Sequence, residues 1–146
     1  MVQFEGEKDF PQALADVYAK VSDARFLVQC IPDATPVSAE ADQAVCKVRP
    51  GFAFVRGTLT VTLTIAERVA ESLVRMTMLS KGIGTSSDVE AALTLTAKDG
   101  GTHLHWKAEV TRLGGLLKAV PSGLIRGAAQ KVITDVWTNV EAQLGK

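Results

Sequence analysis

The chain has 146 residues, the size of one ordinary domain, and its 16 Lys and Arg residues balance 16 Asp and Glu residues. A formal net charge of zero argues against nucleic acid as the main partner, because binding phosphates requires an excess of basic charge on one face. Apolar residues make up 47% of the chain and charged residues 22%, which excludes a disordered chain and provides for a packed core.

The first part of the sequence predicts one strand followed by two short helices. Residues 2–9 alternate apolar and polar side chains, which is the period of a half-buried strand. Pro11 suits the first turn of a helix over residues 12–21, since proline lacks the N–H that would have no partner there. A Ser-Asp pair then provides an N-cap for a second helix over residues 24–30, which the next proline ends.

From about residue 37 the sequence repeats with a period of two and predicts an antiparallel sheet. Over residues 58–65 four threonines alternate with leucine, valine and isoleucine, so one face of the sheet is apolar. Asp99-Gly100-Gly101 predicts a hairpin turn. The longest strand would span roughly 50 Å at about 3.3 Å per residue, and a twisted sheet of such strands curls. The predicted strands cover residues 44–48, 52–67, 71–80, 89–98 and 102–112.

The last part of the sequence predicts one long helix. Apolar residues recur at spacings of three and four from Leu117 to Leu144, which is typical of a helix of about 25 residues. We expect Leu113-Gly114-Gly115 to break the last strand before it. The helix is expected to fill the concave face of the curled sheet, with Gly123 and Gly127 facing the sheet, because the apolar sheet face would otherwise stay in water.

Few residues have the pattern of a reactive site. His103 and His105 point to one face of a strand and could share a metal ion, but no third ligand is evident, so we interpret them as surface histidines. The sequence contains no phosphate-binding loop, dinucleotide fingerprint, Cys-x-x-Cys pair or nucleophile elbow. We therefore expect no catalytic residue, no metal site and no cofactor, and an enzyme is the less favoured interpretation.

The sequence shows neither a secretory signal nor a run of about 18 apolar residues that could span a membrane. Cys30 and Cys46 are too few for a disulfide scaffold and are expected to be reduced, with Cys46 a small core residue. No linker or repeat divides the chain, so we expect one domain over residues 1–146 in the cytoplasm.

Seven short motifs follow one another along the chain: Phe4-Glu5-Gly6, Cys30-Ile31-Pro32-Asp33, Val55-Arg56-Gly57-Thr58, Gly82-Ile83-Gly84, Gly101-Thr102, Leu113-Gly114-Gly115-Leu116 and Ile125-Arg126-Gly127-Ala128-Ala129. Over essentially the whole chain, their joint order resembles the CoxG family, named for the G subunit of carbon monoxide dehydrogenase. That family lies within the START, birch-pollen-allergen and polyketide cyclase-like superfamily. Asp33 departs from the pattern, since members commonly have Gly after the Ile-Pro pair. The resemblance implies an α+β helix-grip fold, in which a curved antiparallel sheet wraps around a long C-terminal helix.

The resemblance also implies a function. It implies a hydrophobic cavity that holds an apolar or amphipathic small molecule, lipid-, isoprenoid- or quinone-like, in an accessory to a molybdenum hydroxylase of the carbon monoxide dehydrogenase type. Peripheral contact with a membrane stays open. Two alternatives also stay open: a cyclase or hydrolase on the same fold, and a ligand-free module that binds another protein. Fold analogy is a weak guide to activity.

The residues that point inward from the predicted strands and helix are expected to form the cavity wall. Small residues such as Ala91 and Ala108 leave room beside larger apolar side chains, and methionines adapt to varied shapes. Close packing without a void would use the same small residues, so this second interpretation stays open. The predicted ligand-binding residues are Phe54, Leu59, Val61, Met76, Met78, Leu93, Leu95, Trp106, Leu117, Leu124 and Ala128.

Overall fold

A computed structural model describes residues 2–49, 52 and 57–145 of the chain. It contains an antiparallel sheet, two short helices after the first strand and a long C-terminal helix. The elements in chain order are β1 (Val2–Phe10), α1 (Leu14–Val21), α2 (Ala24–Gln29), β2 (Ala34–Ala39), β3 (Gln43–Val48), β4 (Leu59–Val69), β5 (Leu73–Gly82), β6 (Thr85–Lys98), β7 (Gly101–Gly115), a 3₁₀ helix (Leu116–Ala119) and α3 (Ser122–Leu144).

The seven strands form one antiparallel sheet in the order β1-β7-β6-β5-β4-β3-β2. The first and last strands of the chain are therefore neighbours, and β1 and β2 are the two edges. Helix α3 packs on the inner face of the sheet, where the Trp137 ring lies 6.1 Å from that of Trp106 and 6.3 Å from that of Phe10. The α+β helix-grip fold that the sequence predicts is confirmed.

Helix α3 is held by polar contacts as well as by its buried side chains. Asn139 Nδ2 donates a hydrogen bond to the carbonyl oxygen of Cys30 at the end of α2, at 2.8 Å. Near the other end of the helix, the Arg126 guanidinium lies 5.3 Å above the Phe4 ring. Gln12 Nε2 donates to the carbonyl oxygen of Leu144 at 3.0 Å, at the last turn. These contacts join α3 to β1, to α2 and to the segment before α1.

The alternation that the sequence predicts along the central strands is confirmed. Leu63 and Ile65 of β4 are buried, as are Leu93 on β6 and Leu104 on β7, while Thr60 between inward residues of β4 is exposed. The apolar face of each of these central strands therefore packs toward α3, and its polar face is exposed to water.

Two predicted strand boundaries are corrected by the structure. The long strand begins at Leu59; Phe52 is not part of it, and residues 53–56 lie outside the described part of the chain. The last strand does not break before Gly115, because Gly114 and Gly115 still pair with Ser86 and Thr85 of β6. Gly115 has φ +61°, and a Cβ there would overlap the carbonyl oxygen of Gly84.

One strand was not predicted at all. β2 (Ala34–Ala39) is an edge strand with all but its first residue exposed, so its sequence lacks the alternation that marks a half-buried strand. Its pairing with β3 is interrupted by a shift in register between Pro36 and Ser38.

The two glycines early in α3 were expected to face the sheet, and this expectation is wrong. Gly123 and Gly127 are both exposed, and a Cβ at either position would meet no atom within 4 Å. They therefore leave no room inside the fold, and their missing side chains serve no close contact within the described structure.

Replacing either glycine with alanine is expected to stabilise the protein. Gly127→Ala and Gly123→Ala should each raise the free energy of unfolding by about 0.5–1 kcal/mol, since alanine loses less backbone entropy in a helix. Urea denaturation measures the change. Gly101→Ala is the opposing control, because a Cβ there would overlap the backbone oxygen of Phe10, and it should destabilise. Loss of stability at Gly127 would mean that this face of α3 is covered.

Candidate functional site

A cavity of about 280 Å³ lies between the inner face of the sheet and α3. Strands β4 to β7 form one wall, and the second half of α3 forms the opposite wall with Val132, Ile133, Val136, Trp137 and Val140. Leu27 and Ile31, from α2 and the turn after it, close one side. The cavity exists because residues such as Ala91 and Ala108, paired across β6 and β7, are too small to reach the helix.

The described wall of this cavity is almost entirely apolar. Alkyl, thioether and indole groups cover it, and its polar side chains are those of Ser80 and Ser87. Lys107 also borders the cavity, but its side chain is 67% exposed and its Nζ lies 3.8 Å from Glu5 Oε2 on the other face of the sheet. Concave apolar sites with a few polar groups are typical of small-molecule binding.

Six of the predicted ligand-binding residues lie on this wall: Leu59, Val61, Met76, Met78, Leu93 and Trp106. All six belong to strands, where alternation sets the direction of each side chain. Phe54 lies outside the described residues.

Four other predicted residues lie away from the cavity, so their predicted placement is corrected. Leu95 is buried in the apolar core on the same face as Leu93, but it does not border the cavity. Leu117 is buried in the 3₁₀ helix, and Ala128 is half-buried on α3; neither borders the cavity. Leu124 is 57% exposed. The helical spacing does not continue from Leu117 into α3, because Val120 and Pro121 separate the two helices.

The sequence prediction missed the α3 side of the cavity. Val132, Val136 and Val140 follow one another at i, i+4 spacing, and Ile133 and Trp137 lie beside them. This spacing is visible in the sequence, but apolar residues occur on several sides of the helix, so spacing alone does not say which stripe faces the sheet. Ser80 and Ser87 were missed because serine on a strand indicates no binding role by itself.

The two histidines lie on the outer face of the sheet, next to carboxylates of β1. His103 Nδ1 and Asp9 Oδ1 are 2.6 Å apart, and His105 Nε2 and Glu5 Oε2 are also 2.6 Å apart. The hydrogen bond between His103 and Asp9 raises the pKa of His103 and lowers that of Asp9. Both rings are thus surface groups tied to the edge strand, and the described residues form no cluster of three or more His, Cys, Asp or Glu that could hold a metal ion.

Both cysteines are free and buried inside the fold. Burial raises the pKa of the Cys30 thiol to about 11 and also raises the pKa of Cys46. The thiolate is the reactive form of cysteine, so both side chains serve as small core residues. The prediction that Cys46 is a core residue is confirmed.

Exposed apolar side chains lie where the β5–β6 turn meets the start of the 3₁₀ helix. Ile83 is 69% exposed and Leu116 is 61% exposed, and the backbone N–H of Leu116 donates to the carbonyl oxygen of Gly84 at 2.8 Å. Lys81 and Lys118 are exposed close by in the chain. None of the helices that the structure describes combines the length and the hydropathy needed to cross a bilayer.

Solved structures share this fold at low sequence identity. A conserved protein from Geobacillus kaustophilus has a TM-score of 0.85 at 18% identity, with 99% of this chain and 95% of that chain covered. A START superfamily protein from Mycobacterium smegmatis has a TM-score of 0.68 at 10% identity, covering 98% and 97% of the two chains. Ara h 8.0201 has a TM-score of 0.64 at 15% identity, covering 98% and 97%. The fold and its inner cavity thus define a START-like helix-grip protein.

The sequence itself identifies the family within this class. Residues 6–145 match the family model for CoxG, the G subunit of carbon monoxide dehydrogenase. The chain belongs to the CoxG family, as the sequence motifs indicate. No curated protein matches the sequence significantly.

Proposed function

We propose that the protein binds and carries an apolar or amphipathic small molecule, lipid-, isoprenoid- or quinone-like, inside the fold, without transforming it. The observation that supports this proposal is the apolar cavity between the sheet and α3. Its volume of about 280 Å³ is several times the roughly 30 Å³ that one water molecule takes up in the liquid. It lies close to the lower end of the range of small-molecule pockets, which begins at about 300 Å³.

The alternative functions fit the geometry less well. A cyclase or hydrolase would place an acid–base pair beside its substrate. Among the described residues that border the cavity, the ionisable one is Lys107, and its charged end lies on the other face of the sheet next to Glu5. A ligand-free interaction module would gain stability by filling the space that Ala91 and Ala108 leave open, since voids cost packing energy.

The partner in this proposal is a molybdenum hydroxylase of the carbon monoxide dehydrogenase type, and the support for it is the family to which the chain belongs. The two free, buried thiols fit a reducing compartment, so we place this role in the cytoplasm. Ile83 and Leu116, with Lys81 and Lys118 beside them, offer apolar and basic groups for peripheral contact with an anionic membrane surface, from which such a ligand would be taken up.

The proposal is tested by asking what the protein retains. The wild-type chain, purified after incubation with a total lipid extract, is expected to yield an apolar compound when it is extracted with organic solvent and analysed by mass spectrometry. Ala91→Phe, which fills the cavity, should lower the retained amount at least tenfold. Ala92→Phe is the matched control, because Ala92 is the next residue of β6 and faces away from the cavity, and it should retain the wild-type amount. Equal retention by all three chains, or none by the wild type, would refute the carrier proposal.

A further inference from the structure

The wall of the cavity carries one pair of hydroxyl groups among the described residues. Ser80 on β5 and Ser87 on β6 are opposite each other in the sheet, and their Oγ atoms are 2.5 Å apart. Both side chains border the cavity, toward the end of these strands that leads into the β5–β6 turn. Val61 of β4 and Val89 of β6 lie next to them on the same wall.

This pair has a hydrogen atom left to donate. Each serine hydroxyl supplies one donor and two acceptor positions, and the bond between the two uses one of the two hydrogens. Within the part of the chain that the structure describes, neither hydroxyl has a second hydrogen-bond partner. A hydroxyl donor that points into an apolar space costs free energy unless an acceptor meets it.

We propose that Ser80 and Ser87 bind the carbonyl oxygen of a neutral ligand, such as a ketone, an ester or a quinone. This inference rests on the carrier function proposed above and names the chemical class that the cavity selects. The remaining hydroxyl hydrogen is donated to the carbonyl oxygen, and the bond between the two serines polarises the donor and strengthens it.

The rest of the wall sets the direction in which the ligand lies. Ser87 and Leu93 are on the same face of β6, six residues and therefore roughly 20 Å apart. Between and beyond them the cavity is bordered by Met76, Ala91, Trp106 and other apolar side chains. The ligand therefore places its carbonyl end at the serine pair and its hydrocarbon body toward Trp106.

The same wall disfavours an ionised ligand. A carboxylate at the serine pair would accept one hydrogen bond from the described residues and would keep the rest of its charge among Val61, Val89 and Met78. Burying a charge without a partner costs far more free energy than one hydrogen bond contributes. A fatty acid anion of the same length is therefore a poor ligand for this cavity.

The experiment compares 2-nonanone with nonane, which has the same hydrocarbon length and no acceptor. Headspace gas chromatography over the protein solution gives the free concentration of each volatile compound and hence its Kd. In the Ser80→Ala/Ser87→Ala variant we expect the affinity for 2-nonanone to fall about five- to tenfold, and the affinity for nonane to stay within twofold of wild type. Ser86→Ala is the matched control, since Ser86 precedes Ser87 on β6 and is not on the cavity wall; it should change neither affinity.

The possible results distinguish a failure of the serine-pair inference from a failure of the carrier proposal. If wild type and the double variant bind both compounds equally well, the serine pair does not bind the carbonyl, while the carrier proposal stands. If wild type binds neither compound, both are overturned. A purely structural role for the pair would lower Tm in the double variant and leave the ratio of the two affinities unchanged, which also overturns the inference. Nonanoate at pH 8, followed by Trp106 and Trp137 emission, should bind at least tenfold more weakly than 2-nonanone; equal binding would refute the neutral class.

Discussion

A chain that ends at Gly115 is expected to lose cooperative folding. Removing α3 exposes the inner face of the sheet and takes away the buried side chains of Ile125, Trp137 and Val140. Burial of one large apolar side chain contributes about 2 kcal/mol, and several half-buried residues of α3 add to these three. The loss is on the order of the 5–15 kcal/mol that stabilises a whole domain. Thermal melting followed by circular dichroism, together with the dispersion of amide NMR signals, measures the result.

The control for this truncation keeps the helix. A chain that ends at Leu144 retains all of α3 and the carbonyl oxygen that accepts from Gln12, so it should melt within a few degrees of the full chain. A shortened chain ending at Gly115 that stayed monomeric and melted cooperatively would show that the sheet does not need α3 to cover it.

The second large effect is expected from a charge placed on the cavity wall. Val61→Arg puts a guanidinium beside Cys46 and Ser80, the neighbours of Val61 across the sheet, with no carboxylate among the described cavity-lining residues. We expect it to lower the free energy of unfolding by roughly 3 kcal/mol, since the charge lies at a half-buried position on an apolar wall and is unpaired there. At the size of this chain, that corresponds to a drop in Tm of roughly 10 °C.

Thr60→Arg is the matched comparison for this prediction. Thr60 is the preceding residue of β4, and its side chain is exposed on the other face of the sheet. An arginine there meets water, and the free energy of unfolding should change by about 0.5 kcal/mol or less. Equal midpoints of urea denaturation for the two variants would mean that the inward and outward faces of β4 have been assigned wrongly.

The central sheet could be predicted from the sequence because burial on one face gives the chain a period of two. Leu63, Leu93 and Trp106 each lie on the face that this period indicates. The strand β2 has no such pattern, since neither of its faces packs against the core. Its prediction would need the pairing with β3, which is a long-range property of the folded sheet.

The candidate site could be predicted on its sheet side and only poorly on its helix side. A strand has two faces, so one buried residue fixes the direction of the others, as Val61 and Met76 illustrate. A helix presents side chains in many directions, so one buried residue does not fix the direction of the others. The apolar residues from Leu117 to Leu144 also span two separate helices in the structure. The spacing therefore predicts an inward position for Leu124, which is exposed, and it does not single out Trp137, whose ring packs against that of Trp106.

The serine pair illustrates a different limit of prediction. Ser80 and Ser87 are seven residues apart in the chain and face each other only because the β5–β6 turn sets their register. A serine is not unusual in a strand, so neither position stands out in the sequence. What makes them distinctive is the apolar wall around them, which exists only once four strands and α3 have come together.

The irregular edge strand β2 disfavours pairing of the sheet with a strand from another copy of the chain. Adding a strand from another molecule requires an unbroken row of backbone donors and acceptors along an edge. Pro36 supplies no N–H, and the shift in register after it turns the neighbouring groups out of line. The sheet therefore terminates at this strand, so that an exposed six-residue edge does not become a template for fibrous growth at high concentration.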